Sequence, residues 1–234
     1  MNRILILVFA LFCITIQVKS QKLSEAEVTA KMTQAFELTK ADKKAEALEM
    51  FLIVGENTKQ QSNEIERQMY VCSQTMACQC YELLGKYKEG YLLAKNLLQG
   101  KLNDEERKDI AHLFALNGYM YASEFIKRDE RGCADYSRGR SILEEIAPYA
   151  DGIVRNYVLP KIPLTWYFEG ADYFMMQKYA DALNAYNKAL TGYKEVGKVK
   201  DVISALKGIA LAKYHLYDIN GSNNAYDEAL ILSG

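Results

Sequence analysis

From about residue 22 onward, apolar and polar residues alternate with the three-to-four-residue period of an α-helix, and no stretch shows the two-residue alternation of a strand. The segment TWYFEGADYFMMQKYADALNAYNKAL, Thr165 to Leu190, shows this most plainly. Trp166, Gly170, Tyr173, Ala182, Tyr186 and Ala189 follow one another at intervals of 4, 3, 9, 4 and 3. Intervals of three and four place the first three residues on one face of a helix and the last three on one face of the next. Two short antiparallel helices approach closely only where the crossing side chains are small. Gly170 and Ala182 supply that crossing, and Trp166, Tyr173 and Tyr186 fill the space around it.

The same arrangement recurs along the chain. Ala47 and Phe51 follow Ala35; Gly90 follows a Gly85–Tyr87 turn, with Cys78 and Tyr81 ahead of it. Gly139 and Leu143 follow Gly118 and Tyr121, and Ser222, Tyr226 and Ala229 follow Ile209, Ala210 and Tyr214. The small residues of the second helices are Ala47, Gly90, Gly139, Ala182 and Ser222, spaced by 43, 49, 43 and 40 residues. This periodicity predicts helix pairs over residues 22–60, 65–100, 108–150, 160–196 and 200–234. Gly118 and Gly139 stand 21 positions apart where the fourth unit has 12, so Ile126–Ala134 reads as an inserted loop of about nine residues. Pro148 is expected to end the second helix of the third unit. Pro160 and Pro163 are expected to bracket the start of the fourth, where the first turn tolerates proline. Tyr149–Leu159 between them reads as a short extra helix.

The W-x3-G-x2-Y spacing followed by Ala, Tyr and Ala resembles the tetratricopeptide repeat (TPR), a helix-turn-helix unit of about 34 residues. Glu169 stands where that pattern has leucine, and its terminal proline is absent. The resemblance implies an all-α chain, an α-solenoid of about five antiparallel helix hairpins in a TPR-like superhelix, whose first helices line a concave groove. It places groove-facing side chains at Phe36 in the first unit, Gln79 and Glu82 in the second and Tyr119 in the third. In the fourth it places Tyr167, Ala171, Phe174 and Met175, and in the fifth Lys207, Leu211, Tyr214 and His215. Such a groove is aromatic and mostly uncharged, without the lysine and arginine cluster with which some family members grip a C-terminal carboxylate. The same aromatic residues can equally pack between repeats.

The first 20 residues differ from the rest. Asn2 and Arg3 precede the apolar run ILILVFALFCITI, Ile4 to Ile16, and Val18 and Ser20 stand where a signal peptidase takes small side chains. Residues 1–20 therefore read as a secretory signal peptide, cleaved after Ser20. The run is shorter than the roughly 20 residues that span a bilayer, and no second one follows, so the mature chain is expected to be periplasmic or secreted with no membrane span. With the resemblance, this suggests an exported TPR-like protein of bacterial type.

Charge narrows the partners. The whole chain carries −1; after residue 20 there are 27 basic and 30 acidic residues, net −3, which argues against nucleic acid. Four cysteines remain. Cys72, Cys78 and Cys80 share one helical pattern, where disulfide geometry is rarely met, and the cysteines read as small buried apolar residues. The only histidines, His112 and His215, lie far from the Cys-x-Cys, so no metal or other cofactor is expected. GYKEVGKV, Gly192 to Val199, imitates a phosphate-binding loop, but Val199 replaces its Ser or Thr and no strand precedes it. No nucleophile elbow occurs, and Glu144–Glu145 and Glu105–Glu106 read as solvated helix surface.

The expected function is an exported, non-enzymatic scaffold or adaptor that binds a protein or peptide in the groove. The alternatives are an extracytoplasmic sensing segment of a membrane-bound regulator and an enzyme using a pocket around Asp129, Glu130, Arg131 and Cys133. YDEALILSG, Tyr226 to Gly234, leaves Leu230, Ile231 and Leu232 on an apolar face that would meet a partner or further repeats. If Ala182 marks a helix crossing, Ala182→Leu overpacks it and lowers stability by roughly 1–3 kcal/mol in urea unfolding; an unchanged midpoint contradicts this register.

Overall fold

A computed structural model describes residues 22–130 and 132–234; the segment read as a signal peptide lies outside them. The described residues form α1 (Glu25–Lys40), α2 (Lys44–Thr58), α3 (Glu64–Leu83), α4 (Tyr87–Leu97) and α5 (Asp104–Ile126). These are followed by α6 (Tyr136–Ile146), a 3-10 turn over Ala147–Tyr149, α7 (Gly152–Met175), α8 (Tyr179–Glu195), α9 (Val199–His215) and α10 (Ile219–Ser233). Among the described residues there is no strand. The described residues divide into two compact units, parted between Ser73 and Gln74. In the first, α1 packs on α2. In the second, each helix from α4 to α10 packs on the next in sequence, giving an all-helical, TPR-like run of hairpins.

Five of the turns are built alike. Each has a residue of positive φ two positions before the next helix: Asp42, Gly85, Gln177, Gly197 and Tyr217, with φ between 59° and 69°. In each, the following amide reaches back five residues, as in Lys86 N–H to the Tyr81 carbonyl at 2.8 Å and Lys178 N–H to the Tyr173 carbonyl at 2.9 Å. This is the Schellman closure, which satisfies the last carbonyls of one helix and aims the chain back along it. The residue after the left-handed one, Lys43, Lys86, Lys178, Lys198 or Asp218, is at once the N-cap of the next helix. The Gly197–Lys198 pair that imitates a phosphate loop is one of these turns.

Two of the other helices begin on paired side-chain caps. Ser24 and Glu27 form a reciprocal capping box before α1, as do Asn103 and Glu106 before α5.

The prolines depart from expectation. Pro160 and Pro163 are interior to α7, and residues 149–159 are no separate helix: from Gly152 onward they are its first turns. Each proline removes an amide from the ladder, which normally ends a helix. Here packing outweighs the loss. Val154, Val158, Pro163 and Thr165 are buried along the helix. Pro163 sits against Gly192 of α8, where an added Cβ would lie 2.9 Å from the proline Cβ. The Thr165 hydroxyl donates to the Ile162 carbonyl at 2.6 Å.

Two arrangements organise the second unit. Tyr186 of α8 is 6% exposed and meets a glycine on each neighbouring helix. A Cβ on Gly170 of α7, or on Gly208 of α9, would lie 2.9 Å from its ring. The second arrangement explains why Glu169 replaces leucine. Arg140 of α6 is buried, and its Nη1 donates to Glu169 at 2.8 Å and to the Thr165 hydroxyl at 3.3 Å. Its guanidinium lies 3.3 Å from the centroid of the Trp166 ring, and Lys188 Nζ of α8 lies 4.0 Å from the same centroid. Trp166 thus ties α6, α7 and α8 through two cations.

Removing one partner of a buried pair costs more than replacing both. Arg140→Ala is expected to lower unfolding stability by about 3 kcal/mol, while Arg140→Met with Glu169→Leu regains most of that. Additive losses in urea unfolding would contradict it.

Candidate functional site

In the first unit, Phe36 of α1 is half-buried, its ring edge-on to the buried Phe51 of α2 at 5.5 Å. In the second, Gln79 and Glu82 are half-buried on α3. Burial pushes the Glu82 carboxyl up, and nearby His112 of α5 pulls it partly back. His112 Nδ1 in turn lies 3.1 Å from Asp151 at the start of α7, so α3, α5 and α7 share one polar line.

Tyr119 of α5 pairs with Tyr157 of α7, ring centroids 6.0 Å apart. Tyr157 is an exposed member of this face that the sequence reading missed, because it assigned residues 149–159 to a separate helix.

Tyr167 points the other way. It packs against both apolar clusters that α7, α8, α9 and α10 share, with its ring 5.5 Å from that of Tyr186.

Phe174 and Tyr214 are brought together through His215 of α9. The His215 ring stacks on Tyr179 of α8 at 4.5 Å and meets Phe174 at 5.3 Å and Tyr214 at 5.7 Å. Around this packed floor Met175 is 80% exposed and Tyr214 58%, with Leu211 and Lys207 also exposed on α9. Tyr217, in the following turn, is 91% exposed. A non-glycine residue in the left-handed region costs about 1–2 kcal/mol, and Tyr217 buries almost nothing in return.

The inserted loop overhangs α7. A cavity of about 470 Å³ lies between Arg128, Gly132, Cys133 and Ala134 on one side and Ala171, Asp172, Met175 and Met176 on the other. A second, of about 260 Å³, continues it along Tyr136, Glu169 and Tyr173. Arg128 donates to Asp172 and so pins the loop to α7. Asp129 closes the loop on itself, accepting from the Cys133 amide at 2.8 Å.

Of the residues named for an enzymatic pocket, Arg131 lies outside the described residues, while Cys133 lines this cavity. Its charged groups Arg128 and Asp172 neutralise each other, and Glu169 beside it is held by Arg140. His112 is engaged with Asp151 and His215 lies within the ring cluster. Among the described residues no three or more His, Cys, Asp or Glu side chains converge to hold a metal ion. No described helix is long and apolar enough to cross a membrane.

Glu145 is more than solvated surface. It accepts from the Tyr91 hydroxyl and Lys95 of α4; burial pushes its carboxyl up, but those two bonds outweigh this and hold it below the usual carboxylate range.

No family model and no curated protein matches the chain. Among solved structures it is similar to the nearly identical TPR-like repeats of a Podosopora anserina kinesin light chain. The Q17M form of that protein is 12% identical over 88% of this chain and 94% of that one, with a TM-score of 0.36. BtubC (BKLC) from P. vanneervenii is 10% identical over 89% of each chain, with a TM-score of 0.34. The TPR-like character of this chain is carried by its own hairpins and turns.

Exposure sorts the thiols at the site from those of the core. Cys133 and Cys72 are exposed, Cys78 and Cys80 buried, and burial pushes the Cys78 thiol up to about 12 and also raises that of Cys72. In the folded chain from Gln21, Cys133 is expected to react first with a thiol reagent, Cys72 more slowly, and the other two only on unfolding. Rapid modification of Cys78 would contradict the packing of α3.

Proposed function

We infer that the chain is an exported, non-catalytic scaffold that binds a protein or peptide across the first-helix face of α7 and α9. The observation that carries this reading is the set of apolar side chains left in solvent on a packed aromatic floor. Met175, Leu211 and Tyr214 stand exposed beside the half-buried rings of Phe174 and Tyr179. A tyrosine fixed by its neighbours loses little freedom on binding, and methionine adapts to varied surfaces, so the two together suit a docking site.

Tyr217 supports the same reading, since an exposed aromatic ring in a strained turn contributes nothing to folding. Tyr119 with Tyr157 extends the face toward α5, and Lys207 forms a cationic rim that steers acidic segments. With no basic cluster on this face, a C-terminal carboxylate is not its target. Phe36, Gln79, Tyr167 and Phe174 act in this reading as supports beneath the contact surface. Export rests on the leader-like residues 1–20, and the five repeat units on the recurrent small residues.

The test uses the chain from Gln21 and a Met175→Ala, Leu211→Ala, Tyr214→Ala variant. Because these positions are exposed, the variant should keep its circular dichroism and unfolding midpoint. Proteins retained from envelope extract by the parent should be lost by the variant, with purified binders weakened at least about tenfold. Retention by the variant, or no capture by the parent, would overturn the reading.

A further inference from the structure

The cleft under the inserted loop gathers sulfur. Cys133 stands on the loop side of the cavity of about 470 Å³, and Met175 and Met176 stand on the α7 side. All three meet solvent: Cys133 is a free, exposed thiol, Met175 is 80% exposed and Met176 63%. The other methionines of the described residues, Met32, Met50, Met69, Met76 and Met120, are half-buried within helices. The two in solvent both line this cavity.

The wall that carries the thiol is fixed. Arg128 donates to the Gly132 carbonyl at 3.3 Å and also to Asp172, which ties the loop to the helix that carries the methionines. Cys133 is held on both sides: its amide donates to the Asp129 carboxylate, and its carbonyl accepts from the Asp129 amide, each at 2.8 Å. These bonds use main-chain groups of Cys133 and leave its thiol to the cavity. Opposite, Met175 closes α7 and Met176 is its C-cap. Each thioether rides on three rotatable bonds, so it can turn toward a shared ion.

The donor set selects the ion. Thiolate and thioether sulfurs are soft donors and favour Cu(I) over hard divalent cations. The oxygen and nitrogen donors nearby are already engaged: Asp172 by Arg128, Glu169 by Arg140, and His215 in its ring cluster. With Arg128 and Asp172 cancelling, one thiolate charge is left, and it balances a monovalent cation. We propose that this cavity binds one Cu(I) ion through the Cys133 thiolate and the thioethers of Met175 and Met176. Binding forms three Cu–S bonds, releases the Cys133 proton to solvent and leaves the oxidation state of the metal unchanged. Thioether ligands lie outside the Cys and His spacings from which the sequence reading expects no metal.

The test presents Cu(I), under argon, as its coloured bicinchoninate complex to the reduced chain from Gln21. The chain should withdraw one equivalent of copper, and X-ray absorption should show only sulfur around it. Losing a group behind a metal ligand costs about tenfold to a hundredfold in affinity, and losing the ligand itself costs at least as much. Cys133→Ser, and Met175→Leu with Met176→Leu, should therefore each weaken binding by at least about tenfold. Cys72→Ser, which removes the exposed thiol of α3, should leave the affinity unchanged. Undiminished affinity in the methionine variant overturns the proposal, because a thiol alone then suffices. So do nitrogen or oxygen in the first shell, and a copper complex that sediments as a dimer, in which an exposed thiol bridges two chains. Leu211 and Tyr214 are intact throughout, so failure here is distinguishable from failure of the docking reading.

Discussion

The second unit depends on one aromatic ring held between two glycines. Tyr186 gives α8 a bulky side chain that would otherwise prop its neighbours apart, and Gly170 and Gly208 let α7 and α9 close onto it. Side chains farther along then come within reach of each other: Ala182, Ile209, Ala210, Ala212 and Ala225 form one buried cluster, and Ala189, Tyr193, Leu206 and Ala229 another. Glycine inside a helix is unfavourable by about 1 kcal/mol relative to alanine. The close approach of three helices is what that loss makes room for.

A different logic holds α6 to α7. Where the repeat pattern has leucine, Glu169 meets the buried Arg140, and Trp166 is packed between that guanidinium and Lys188. An apolar contact is replaced by a directional one. A little further along, Arg128 fixes the inserted loop to Asp172, which gives the cavity above α7 a defined wall. The same helix thus carries core residues on one side and, at Met175, part of the proposed binding face.

Much of the fold is legible in the sequence because a helix crossing admits only small residues, and Ala182, Gly139 and Ala47 mark such crossings wherever they occur. The five left-handed turns were legible only in part. Gly85 and Gly197 announce themselves, but Asp42, Gln177 and Tyr217 adopt the same conformation without glycine, and aligning the turns on the following Lys or Asp would have exposed them. Pro160 and Pro163 misled because local chemistry favours proline in a helix's first turn over its interior, whereas the fit of Pro163 against Gly192 is a tertiary fact. The groove positions were harder still. Periodicity puts Tyr167 and Tyr214 on the same face, but it cannot show that one turns toward Tyr186 while the other stays in solvent. Arg128 and Arg140 carry no local signal, since their partners lie 44 and 29 residues away.

The most direct test of this account is the stability of Gly208→Ala by urea unfolding. On helix propensity alone, alanine at an interior helical position stabilises by about 1 kcal/mol. If Gly208 is there to admit the Tyr186 ring, the added methyl group meets three ring atoms at 2.9 Å and the variant unfolds at lower urea, despite the better propensity. A midpoint raised by the propensity gain would show that the ring has room to spare, and that the contact between α8 and α9 does not depend on this crossing.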